Sequence, residues 1–215
     1  MGNVTIGKFA LLTALLICAG GSQSLAQVSK ARDEGVAKRN YGDPLPSGLD
    51  RSAPSSHSMT ITEAAQSGGV AEARGAFLVG ESVNSRNPRG VPALLIAAQS
   101  GNVAVLRFLL EKGANPDLFE KSTGKTALIA AAELGDSSMV HLLLEHKADP
   151  EHHDRQGETA LIKAARIGAQ DAVMVLLGAG LDVNATDYAG HTALWHAMDA
   201  RHDKVAKMIQ TAGGA

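Results

Sequence analysis

An all-α solenoid of about five helix-turn-helix units joined by β-hairpin loops is the architecture the sequence predicts, and three observations predict it. The first is a period. Gly90, Gly124, Gly157 and Gly190 open similar stretches and stand 34, 33 and 33 residues apart, and self-similarity at such a spacing means stacked units rather than one globular core. The second is an alanine pair seven residues after each of the first three glycines: Ala97-Ala98, Ala131-Ala132 and Ala164-Ala165. Side chains this small let neighbouring helices approach closely, so a larger residue there would overpack the contact. The third is a leucine-rich stripe at helical spacing in the second half of each unit, beside an aromatic content of only 3%.

The chain divides accordingly. Residues 1–26 read as a cleaved export signal: Lys8 supplies the positive n-region, FALLTALLICA from Phe9 to Ala19 is the apolar core, and Ser24-Leu25-Ala26 offers small residues before a cut after Ala26. Eleven apolar residues are too few to span a bilayer of ~30 Å. Residues 27–56, with Pro44, Pro46 and Pro54, read as a disordered or weakly ordered linker. Residues 57–215 hold the units, at about 57–89, 90–123, 124–156, 157–189 and 190–215.

The first unit, MTITEAAQSG followed by VAEARGAFLVG, is degenerate and is expected to act as an N-terminal cap. In the later units the first helix is expected to start near Pro92, Thr126, Thr159 and Thr192, where threonine caps free amides and proline is tolerated in a first turn. Second helices carry Val105, Leu106, Phe108, Leu109 and Leu110, then Met139, Val140, Leu142, Leu143 and Leu144, then Val173, Val175, Leu176 and Leu177, all expected to face the interior. Gly113 and Gly180 follow second helices as left-handed caps, with Lys147 in the same place in the third unit. The hairpin loops fall at 115–123, 149–156 and 182–189, the first one residue longer. In the last unit Gln210 replaces Leu110, Leu144 and Leu177, and with Lys204 and Lys207 it marks the expected C-terminal cap.

Gly-x-Thr-Ala-Leu openings, the alanine pairs, the second glycines Gly101, Gly135 and Gly168, the leucine pairs and a Gly-Ala-Asn-like close together resemble ankyrin repeats over roughly residues 57–215. The opening departs from the usual Thr-Pro-Leu-His, with Ile129, Ile162 and Trp195 at the histidine position. The resemblance implies that a partner protein lies across the hairpin tips and the concave, exposed side of the first helices. The matching positions are Arg86, Arg89, Phe119, Lys125, His153, Arg155, Gln156, Glu158, Arg166, Tyr188 and His191, with Leu134 and Ile167 adding apolar contact. Arg, Tyr and Phe are common interface anchors, and the surplus of cations in this set favours an acidic counterpart.

Other function classes find little support in the residues. The net charge is −2, and about −3 once Lys8 leaves with the leader, which disfavours nucleic acid and anionic membrane as partners. The single cysteine, Cys18, lies in the leader, so the remainder has no thiol, disulfide or cysteine metal site. No Gly-rich phosphate loop, His-Glu-x-x-His or nucleophile elbow occurs, so the chain reads as non-enzymatic, without a cofactor, and as a monomer on its own. Asp149, Glu151, His152, His153 and Asp154 crowd one loop, and His152 and His153 are weak metal candidates because neighbours on an extended segment point apart. They define an alternative reading: a metal- or haem-handling accessory protein supporting a periplasmic redox or peroxide-removing enzyme. His191, His196 and His202 read as structural or exposed. The leading expectation is a periplasmic or secreted binding scaffold.

Overall fold

A computed structural model describes residues 59–214; the expected signal at 1–26 and linker at 27–56 lie outside the described residues. Among the described residues ten helices follow in pairs: α1 (Ile61–Ser67) and α2 (Val70–Leu78), α3 (Ala93–Gln99) and α4 (Val103–Glu111), α5 (Ala127–Leu134) and α6 (Ser137–Glu145), α7 (Ala160–Ile167) and α8 (Gln170–Leu177), α9 (Ala193–Asp199) and α10 (Asp203–Thr211). None exceeds nine residues, too short to persist alone in water, so their stability comes from stacking. The first helices form one row, each touching the next, and the second helices form another behind it. Among the described residues no helix is long and apolar enough to cross a membrane.

Threonine starts four of the first helices. Thr60 Oγ1 accepts from the Glu63 amide while the Glu63 carboxylate accepts from the Thr60 amide, a reciprocal capping box. Thr126, Thr159 and Thr192 accept from the amides three residues on at 3.4, 3.4 and 3.3 Å. Pro92 takes the cap position itself rather than the first turn and contributes no side-chain bond.

The row is close because its contacts are alanine. Ala64, Ala65, Ala97, Ala98, Ala131, Ala132, Ala164, Ala165 and Ala197 are wholly buried. Behind them Leu106, Leu109, Met139, Leu143, Leu176 and Ile209 fill the space between helix pairs. The stripe is less uniform than its spacing predicts: Leu144, Val175 and Leu177 are only partly buried, at the outer margin of the second row. The last described unit exposes Gln210, Lys204 and Lys207. It also exposes Trp195 (43%) and Met198 (59%), which occupy the positions of the buried Ile162 and Ala165 one unit earlier. They are uncovered because no sixth helix pair follows α10 among the described residues.

In the connecting loops the expected β-hairpin pairing is reduced to isolated bridges: among the described residues there is no strand, only single antiparallel bridges at Arg86–Pro92, His153–Thr159 and Thr186–Thr192. The longer loop between the second and third units closes through Glu120 N to Lys125 O at 3.0 Å and Gly124 N to Glu120 O at 2.7 Å. Successive loops are tied together. Arg155 N donates to Thr123 O at 2.9 Å and Tyr188 N to Gln156 O at 3.0 Å, while Asn84 and Asp117 side chains accept from the amides of Asn115 and Asp149 at 2.8 Å each.

Two side chains occupy backbone conformations that favour glycine. Lys147 has φ 63° where Gly113 and Gly180 have 82° and 76°, and Arg201 has φ 59° where Gly135 and Gly168 have 73° and 74°. A Cβ in this region crowds the following carbonyl, so Lys147→Gly and Arg201→Gly should each stabilise the fold by about 0.5–1 kcal/mol, read as a higher urea midpoint with unchanged slope.

Candidate partner-binding face

The loop tips bring aromatic residues from three successive units into one row. Phe119 lies 5.6 Å from His152, His152 stacks 6.2 Å from His153, and His153 meets Tyr188 edge-on at 6.0 Å, all between ring centroids. The period sets successive loops side by side: Phe119 and His152 stand 33 residues apart, while Tyr188, whose counterpart one unit earlier is Arg155, reaches across to His153. Phe119 is 43% and Tyr188 72% exposed although both rings have aromatic neighbours, so each presents a free face to solvent. Gly157 lets the row close up: a Cβ there would come within 2.7 Å of both the Tyr188 ring and its amide nitrogen.

Cations flank the row. Arg155 is exposed and its guanidinium donates to Lys121 O at 2.7 Å, which leaves its remaining donors facing outward. Arg86 donates to Gly90 O and Phe119 O at 2.8 and 2.9 Å, tying two loops together. Arg86 and Arg89 line a groove of about 670 Å³ with Glu63, Glu81 and Glu120, so charge at that end is mixed. Hydroxyls of Ser122 and Thr123, at 2.6 and 2.7 Å, hold the Glu120 carboxyl below its ordinary range. Gln156 is exposed beside Arg155, and Leu134 and Ile167 are exposed on the helix side.

Three other predicted positions, Lys125, Glu158 and Arg166, are engaged in ion pairs within the chain, although the Arg166 side chain stays 40% exposed. Lys125 Nζ lies 2.6 Å from Glu133. Glu158 is buried (6%) and paired with both Lys163 and Arg166. Lys163, itself 2% exposed, also stands 2.9 Å from Asp154 Oδ2, a charge contact without hydrogen-bond alignment, while Asp154 Oδ1 accepts from the amides of Gln156 and Glu158. Burial works against the Lys163 charge, yet the two carboxylates outweigh it and raise its pKa above the ordinary lysine value. This set was not read from the sequence. The available signal was Lys163 itself, a lysine in the helical slot that Ile96 and Ala130 fill in the preceding units.

His152 Nε2 donates to Gly124 O at 3.0 Å, and neither His152 nor His153 joins a group of three or more metal-ligating side chains among the described residues. Such a group does form one loop later. His196 Nε2 donates to Asp187 Oδ2 at 2.9 Å and His191 Nδ1 lies 3.9 Å from the same oxygen, with Asp187 Oδ1 accepting from the amides of Ala189 and His191. Burial would raise the Asp187 pKa, but those amides and His196 bring it below the usual aspartate value.

The stacked helix pairs, the capped first helices and the tied loops agree with what a comparison with known families finds. A family model described as ankyrin repeats (3 copies) matches residues 61–154 and 135–214, and no curated protein matches the chain. Ankyrin repeats generally mediate protein–protein interaction and are typically non-enzymatic. The matches cover most of the sequence, and the chain belongs to the ankyrin-repeat family.

Proposed function

We propose that this protein is a non-enzymatic scaffold or adaptor, exported through residues 1–26 to the periplasm, that binds a partner protein through its loop tips and the exposed side of its first helices. The observation that carries the reading is the row from Phe119 to Tyr188, two exposed rings held in register by bonds between loops. Anchors fixed before binding cost little ordering entropy on association, and aromatic and arginine side chains supply most of the energy at protein interfaces. Arg155 beside the row favours an acidic patch on the partner.

Cross-linking in the native compartment, followed by mass spectrometry, tests the proposal by identifying the partner and the contacting residues together. Arg155→Glu combined with Tyr188→Ala should weaken capture by ~10²-fold or more while leaving the melting curve in place, since both side chains are exposed. Capture at wild-type strength by the double variant overturns the assignment of this face. Recovery of the protein in the cytoplasmic fraction overturns the location.

A further inference from the structure

We infer that Asp187, His191 and His196 form a binding site for a divalent transition-metal cation of the zinc class, independent of the partner-binding face reading. The argument begins one unit earlier. Asp154, Glu158 and Lys163 stand 33 residues before Asp187, His191 and His196, and there the Lys163 ammonium sits against both carboxylates as a built-in cation. In the last unit the lysine and the glutamate are both replaced by imidazoles while the aspartate is kept. The same three backbone positions therefore present one carboxylate and two nitrogen donors, and a metal ion would take the place that Lys163 Nζ holds.

The geometry suits an ion. The three donor atoms all lie within 4.8 Å of one another, and the 2.9 and 3.9 Å separations from Asp187 Oδ2 bracket the ~3.3 Å expected between ligands of a tetrahedral site with bonds of ~2.0–2.1 Å. Imidazole and carboxylate together suit zinc, copper or nickel better than calcium or magnesium. Each donor is also oriented from outside. Amides of Ala189 and His191 occupy Asp187 Oδ1, which turns Oδ2 to the histidines. His191 stacks on Trp195 at 3.7 Å and 11°, and His196 stands edge-on to both rings, so the imidazole planes are fixed by packing. Three protein ligands leave the fourth position for water.

Trp195 is the only tryptophan in the chain and lies against a ligand, so it reports occupancy directly. Titrating the full chain with Cu²⁺ or Ni²⁺ should quench its emission at one equivalent, and Zn²⁺ should compete for that site with matching stoichiometry by calorimetry. Asp187→Asn is the informative variant: Asn87 already accepts the equivalent two amides with its side-chain oxygen, so the loop is preserved while the ligand charge is lost. It should weaken binding at least as much as the ~10–100-fold typical of losing an outer-shell partner, His196→Ala should abolish it, and His152→Ala with His153→Ala should leave it unchanged. Absence of stoichiometric binding by wild type, or binding retained in His196→Ala, or binding lost in the His152/His153 double variant, overturns the site.

Discussion

Replacing Lys163 with methionine is expected to destabilise the protein by ~3–5 kcal/mol, although methionine fits a helical slot that Ile96 and Ala130 fill in the two preceding units. The cost comes from what remains. Asp154 and Glu158 are both buried, and without the ammonium they are two carboxylates held together out of water, with only Arg166 left to balance Glu158. Adding Asp154→Asn and Glu158→Gln to Lys163→Met should restore most of the loss, because the buried charge is then removed on both sides. Chemical unfolding of the single and triple variants checks both statements; equal stability of wild type and Lys163→Met would show that the cluster is solvated and weakly coupled. Because the folded pKa of Lys163 lies above its unfolded value, its contribution is fully present at neutral pH and is lost only as pH rises beyond the ordinary lysine range.

Leu143→Ala should cost ~2–5 kcal/mol, from the lost transfer energy and the cavity left behind. Leu143 is wholly buried on α6, which packs against α4, α5 and α8, so the cavity opens at both neighbours of the central unit. Stability in a stack is a sum of unit and interface terms, and damage in the middle weakens two interfaces at once. Leu177→Ala changes the same residue type at a partly buried position and should cost clearly less. Urea unfolding followed by far-ultraviolet circular dichroism compares the two, and equal losses would contradict the burial pattern.

The fold was legible because it rests on residues whose meaning does not depend on distant partners. Ala131 and Leu143 recur at a fixed period, and their size and spacing are enough to place them at a helix contact. The margins were harder: Leu144 and Leu177 fit the same stripe as Leu110 but lie where the second row meets solvent. Face residues were legible by position and not by state. Glu158 falls at a loop tip in sequence, yet its side chain turns inward to Lys163, five residues on and one helical turn into α7. Asp187 and His196 stand nine residues apart, and only the closed loop brings them to 2.9 Å. The aromatic row was equally hidden, since Phe119 meets His152 and Tyr188 meets His153 only when the loops stand side by side.

The bonds between units also couple each helix pair to both of its neighbours, with Arg86 reaching forward to Phe119 O while others reach back. Arg155 and Tyr188 donate to carbonyls of the preceding loop, and Asn102 and His202 reach back to carbonyls of Ala65 and Arg166 in the preceding unit. In a stack of this kind order can nucleate in any unit and propagate to its neighbours, and these bonds make each ordered helix pair favour order in the next.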